Sequence, residues 1–154
     1  MAKKAFPPEE YIAPIDLVKM AHDENFDFWI LCEQEHFVGF MAVVTHRELA
    51  YLFFLAIDKS KRGNGYGGEA IRLLHRRYQK CHVVDFEMID DTAPNNEQRK
   101  RRKDFYLRHG YRETGIFVSY QGVNFEVVAM DEELDYECFQ DMMQMLWVRF
   151  GVFS

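Results

Sequence analysis

Three runs rich in β-branched and aromatic residues follow one another with very short breaks: FDFWILCEQ (26–34), HFVGFMAVVTHR (36–47) and LAYLFFLAID (49–58). Breaks this short leave no room for a crossover helix, so the runs predict an antiparallel meander. Everything downstream must be built against that sheet. GGEAIRLLHRRYQK (67–80) reads as a helix whose apolar stripe is Ala70, Ile71, Leu74 and Tyr78, and HVVDFEMID (82–90) reads as a further strand. DDTAPNN breaks the chain, with Asn95 or Asn96 placed to cap a helix over 97–110 that Gly110 closes. YRETGIFVSYQ and NFEVVAMD form a last hairpin, and DYECFQDMMQMLWVRF (135–150) a final helix with Phe139, Met142, Met143, Leu146 and Phe150 on one face. Upstream, residues 1–28 are weakly patterned, and IDLVKMAH (15–22) has the makings of a short helix.

Strands and helices in this order give an α/β chain, and 154 residues without a linker or repeat give one domain, 1–154. The balance of 25 acidic against 19 basic residues leaves a net charge of −6, which excludes a general nucleic-acid binder. No apolar run reaches the length of a membrane span, and MAKKAFPPEEY lacks the apolar stretch of a secretory signal. Cys32, Cys81 and Cys138 are odd in number and widely spaced, against both a disulfide framework and a zinc site; buried reduced thiols and a cytoplasmic location are expected, with no metal.

The segment AIDKSKRGNGYGGEAI (56–71) carries four glycines in six residues between a strand end and a helix start. Glycines this dense permit positive φ and let backbone amides approach a ligand. The helix behind them adds unpaired N–H groups and a dipole, so the segment reads as an anion cradle with Lys59, Lys61 and Arg62 beside it. Gly63, Gly65 and Gly68 also satisfy a dinucleotide fingerprint, with Asp85 twenty residues beyond Gly65. The context opposes that match. A charged stub separates strand from glycine, and too little chain remains for a doubly wound sheet.

LAIDKSKRGNGYGGEAI resembles the acyl-CoA signature of the GNAT superfamily of N-acetyltransferases, with Arg62, Gly63, Gly65 and Gly67 on its key positions, and DFYLRHGYRETG resembles that family's second element. The resemblance implies a central mixed, mostly antiparallel sheet with splayed middle strands and helices on both faces. It implies acetyl-CoA as co-substrate, its diphosphate on the amides of Arg62, Gly63, Asn64, Gly65, Tyr66 and Gly67, and its pantetheine arm along Leu55, Ala56 and Ile57. The amide near Ile57 would polarise the carbonyl, and Tyr106 would return a proton to sulfur. Asp85 and Glu87 alternate to one face of their strand, and Glu87 is the candidate base. Family members often hold the pantetheine arm with an asparagine where this chain has Arg99; Asn95 and Asn96 lie a turn away, and Asn96 and Arg99 are the candidates. Of the run RKRRK (99–103), Arg99 and Arg102 are expected to reach the cofactor's phosphates, and the others, Lys103 among them, to be solvated.

Two departures accompany the resemblance: a shortened N-terminal region, leaving the acceptor site open or closed by a second subunit as a homodimer, and an extra C-terminal helix. The activity implied is direct transfer of acetyl to a primary amine on a small molecule or peptide. The alternative is an acyl-CoA sensor on the same fold, without turnover.

Overall fold

The computed structural model describes residues 22–120, 122–130 and 134–150. The expected helix at 15–22 and the N-terminal region lie almost wholly outside them. The elements are β1 (Phe26–Glu33), β2 (His36–His46), β3 (Leu49–Ile57), α1 (Tyr66–Arg77), β4 (Cys81–Glu87), α2 (Asn96–Arg108), β5 (Arg112–Tyr120), β6 (Val123–Ala129) and α3 (Tyr136–Phe150). The described residues fall into two compact units, one drawn from 22–46 and 50–79, the other from 47–49 and 80–150.

In the first unit the strands follow in the order β1-β2-β3. β1 and β2 pair antiparallel from Phe26↔Val44 to Glu33↔His36, with a register shift between Leu31 and Cys32. Val38 to Val44 are buried without alternation, the signature of a strand covered on both faces; Phe40 and Phe54 meet edge to face with ring centres 5.3 Å apart. α1 buries Ala70, Ile71 and Leu74, and Tyr78 just beyond it is also buried, as the stripe predicted. Tyr78 donates its hydroxyl to Asp27 and accepts from Trp29 Nε1 at 3.0 Å, tying the end of α1 to β1. Burial first, and then Asp27, push its pKa up to about 12.

In the second unit the order is β4-β6-β5, and both pairings are antiparallel. Phe86 and Glu126 are register partners and share a face. α2 covers that face, because Phe86 stacks on Tyr106 with ring centres 5.8 Å apart and Glu126 pairs with Lys103 at 2.9 Å. α3 buries Phe139, Met142 and Leu146 essentially completely, each worth roughly 1.5–3 kcal/mol relative to exposure. Gly110 closes α2 at φ +97, and the amide of Tyr111 returns to the Tyr106 carbonyl at 3.2 Å.

Two expectations change. Cys32 is exposed and Cys81 half-buried, so of the three thiols only Cys138 is buried. Lys103 is not solvated: burial lowers its pKa, but Glu126 and Glu113 outweigh burial and raise it overall. No helix among the described residues is long and apolar enough to cross a membrane.

Candidate active site: an amide cradle and a buried carboxylate

In the first unit, β3 ends by handing the amide of Asp58 to the carbonyl of Val38 at 2.7 Å. A single 3-10 turn, Lys59–Lys61, follows, with the Asp58 carboxylate accepting from the amide of Ser60. This turn is the charged stub that separates strand from glycine, and it keeps the loop from being a strand-to-glycine dinucleotide turn. Arg62 Nε donates back to the carbonyl of Ile57 at 3.2 Å, and Asn64 Nδ2 to the carbonyl of Lys61 at 3.0 Å. Both side chains therefore fasten the loop to itself.

Gly63 and Gly65 sit at φ +84 and +79, and a Cβ at either would meet only open space. The requirement for glycine is torsional, since side chains rarely adopt this region. Gly65 is the N-cap of α1 and brings no side-chain hydrogen bond to it. The first amides of α1, from Tyr66 through Gly68, are thus left without a side-chain cap; the Glu69 amide bonds the Gly65 carbonyl. An uncapped helix start behind two left-handed glycines is a seat for an anion. The Tyr66 hydroxyl is turned to Glu33, whose hydrogen bond, followed by burial, raises its pKa.

One residue of this region escaped the sequence reading. A Cβ on Gly39 would lie 2.2 Å from the carbonyl oxygen of Ala56 and 2.9 Å from Cα of Ile57. β2 therefore comes hard against the strand end expected to receive the pantetheine arm, opposite the register shift in β1. A glycine inside the apolar run HFVGFMAVV was the available signal, for such glycines mark bulges and close backbone approach. Of the three strand-end positions, Ala56 is buried while Leu55 and Ile57 are half-buried.

In the second unit, Glu87 ends β4 with no exposed surface. Arg99 Nη2 lies 2.7 Å from its Oε2, Arg102 Nη1 3.7 Å from its Oε1, and Asn95 Nδ2 donates to Oε1 at 3.2 Å. Arg99 also donates through Nε to Asn95 Oδ1 and through Nη1 to the carbonyl of Met88, both at 2.9 Å. Arg99, only 13% exposed, is therefore spent inside the chain. Asn96 accepts the amide of Asp90 on Oδ1 at 2.8 Å, so it too serves the β4-to-α2 connection. Asn95 takes the N-cap position, yet its side chain joins the carboxylate cluster and does not cap. Tyr106 is buried, stacked on Phe86 and edge-on to Tyr111. Asp85 accepts a 2.8 Å hydrogen bond from the Tyr120 hydroxyl, whose pKa is raised by burial first and by Asp85 second.

A family model for the acetyltransferase (GNAT) domain matches residues 24–113. A Bacteroides thetaiotaomicron protein described as an acetyltransferase of the GNAT family aligns at TM-score 0.75 and 23% identity, over 97% of this chain and 87% of its own. An aminoglycoside 6'-N-acetyltransferase complexed with coenzyme A aligns at TM-score 0.63 and 16% identity, over 83% and 86%. A GNAT family acetyltransferase from Elizabethkingia anophelis with acetyl-CoA bound aligns at TM-score 0.61 and 11% identity, over 85% and 88%. These likenesses give the fold, a mostly antiparallel α/β arrangement to which α3 is added at the C-terminal end. No curated protein matches.

Proposed function

The chain belongs to the GNAT acetyltransferase family, and from that premise we propose that it transfers the acetyl group of acetyl-CoA to a primary amine. The observation that carries this reading is the pair of left-handed glycines ahead of the uncapped start of α1. Backbone amides there suit a diphosphate without any charged side chain having to rearrange. Gly63, Gly65 and the amides from Arg62 to Gly67 would hold the diphosphate, and Leu55 to Ile57 the pantetheine arm. When bound, the cofactor supplies an activated acetyl thioester.

In this reading the amine attacks in its neutral form, having lost a proton to solvent. The new C–N bond would form as the C–S bond breaks; the Tyr106 hydroxyl would give the departing sulfur its proton and regain one, through solvent, from the second proton that the attacking nitrogen sheds. The amide near Ile57 stabilises charge on the carbonyl oxygen. Glu87, expected as the base, enters instead as a positioning residue. Its oxygens already serve two guanidiniums and an amide, and proton uptake would break the pairs that hold the start of α2.

Calorimetry with acetyl-CoA and thiol release against a panel of amines test the reading. Acetyl-CoA is expected to bind, and Tyr106→Phe to bind it equally while losing about a hundredfold in kcat, in the range usual for a general acid. Binding with no thiol release from any amine would leave a sensor. No binding at millimolar concentration would remove both. For Glu87, the Glu87→Gln variant is expected to keep the acid limb of its pH–rate profile, which a base would lose.

A further inference from the structure

In the first unit, β1 and α1 face each other across a groove of about 560 Å³. At one end the start of α1 meets the end of β1, where the Tyr66 hydroxyl is turned to Glu33. At the other, the Arg77 guanidinium lies 5.7 Å from the centre of the Trp29 ring, near the start of the strand. Val38 and Met41 of β2 belong to the lining and are each 3% exposed. The helix wall is one face of α1, since Tyr66, Ala70, Leu73 and Arg77 recur at helical spacing. Leu73 on that wall and Ile30 on the strand side stand 49% and 58% exposed, so apolar surface is left open along the groove.

Four of the lining residues are charged, and they are sorted by sign. Glu33 and Glu69 stand at the Tyr66 end, Arg76 and Arg77 at the Trp29 end. All four are exposed. Their partners are the Tyr66 hydroxyl for Glu33, Arg72 at 3.9 Å for Glu69, and the Trp29 and Tyr78 rings for Arg77. A carboxylate has about four acceptor positions and a guanidinium five donors, so these contacts leave capacity for a ligand. From Tyr66 to Arg77 the helix wall runs about 16 Å.

A matching occupant is basic at one end, apolar in the middle and acidic at the other. Residues 3–10 of this chain, KKAFPPEE, have that order. Pro7 and Pro8 fix their own φ and bias Phe6 to extended backbone. At about 3.1 Å per residue, Lys4 and Glu9 of an extended stretch stand about 15 Å apart. Proline-rich stretches of this kind dock in grooves lined by aromatic residues, and this one has Tyr66 and Trp29. The direction agrees as well. The chain enters β1 at the arginine end, so running back from His22 it would meet Arg76 and Arg77 with Glu9 and Glu10 first, and the glutamates with Lys3 and Lys4 last.

We infer that residues 3–10 dock in the groove between β1 and α1 of their own molecule, with Lys3 and Lys4 at Glu33 and Glu69, Phe6 over Leu73, and Glu9 and Glu10 at Arg76 and Arg77. The inference goes beyond the acetyl-transfer reading and does not depend on it. Exposed ion pairs are weak one by one, but a tethered segment meets its groove at an effective concentration in the millimolar range.

The test uses the full chain and a synthetic peptide of residues 1–12. In the wild type, NMR is expected to show nuclear Overhauser contacts between the Phe6 ring and the Leu73 methyl groups, with intensities unchanged on dilution. In Phe6→Ala, whose segment has lost its apolar anchor, the peptide is expected to shift the Trp29 indole signal. The wild type should need about tenfold more peptide, as only about a tenth of its grooves stand open. A peptide with its lysines and glutamates exchanged is expected to bind Phe6→Ala about tenfold more weakly than the native one, and Arg76→Glu to narrow that gap. Should Phe6→Ala fail to fold, the full chain carrying Lys3→Glu and Lys4→Glu serves in its place, with the same expectations. No shift at about 10 mM peptide, a Kd too weak for recognition, overturns the inference. So does equal binding by wild type and variant, or equal binding of the native and exchanged peptides. Contacts that fade on dilution would put the segment in the groove of a second copy, and overturn it too.

Discussion

The basic run Arg99–Lys103 holds five positive charges and the loop Gly63–Gly68 none, yet the loop is the better seat for an anion. Arg99 and Arg102 answer Glu87, Lys103 answers Glu126 and Glu113, and Lys100 answers Glu97. Arg99, Arg102 and Lys103 are consumed in holding α2 to β4, β6 and β5, while Lys100 pairs within α2 itself. The loop offers backbone dipoles instead, with the side chains of Arg62 and Asn64 turned back on the carbonyls of Ile57 and Lys61 and no side chain capping α1. The lesson is that formal charge measures supply. What a ligand meets is the part of that supply left uncommitted by folding.

The severest way to probe the contrast is Gly39→Val, which drives a branched side chain against the Ala56 carbonyl. Overpacking usually costs about 1–3 kcal/mol, and a backbone oxygen cannot move aside as a side chain can. We expect at least the top of that range, read as loss of soluble protein or a low urea midpoint, with Gly39→Ala milder.

Next comes Glu87→Ala, which leaves the Arg99 guanidinium buried without its carboxylate. Removing one partner of a buried pair costs about 3–5 kcal/mol, measured by urea denaturation. A near-neutral result would mean the basic run is less committed than its distances say, and the contrast with the loop would fail.

Gly65→Ala should act the opposite way, through ligand more than fold. A side chain at φ +79 costs about 1–2 kcal/mol, while acetyl-CoA affinity by calorimetry is expected to fall about tenfold as the amides turn from the diphosphate. Equal loss of affinity in Arg101→Ala, on the exposed side of α2, would sink the distinction.

The smallest effect is alkaline. Folded protein holds the Tyr78 proton more tightly than the unfolded chain, whose tyrosine titrates near 10. Its contribution is complete below pH 10 and fades as pH rises towards 12, so stability should fall across that window and Tyr78→Phe should flatten the fall.

Much of the fold was legible because it rests on local signals. The apolar stripe of α1, the Gly110 stop and the strand runs each depend on a few neighbouring residues, and all appear where expected. The candidate site was legible at the glycines, since positive φ is a property of single residues. It was not legible at Arg99, where sequence shows a charge but not its destination. Gly39 sits between: the letter hinted at close approach, but the atom it avoids belongs to a residue 17 positions away.

Sequence alone therefore determined the order of elements, the cradle before α1 and the resemblance that gave the fold, because torsional preference and hydrophobic period act over short spans. Tertiary structure alone decided which charges remained available, that Glu87 is enclosed by guanidiniums, and that β1 and α1 bound a groove. Pairing between distant residues depends on distances that exist only once the chain has closed on itself.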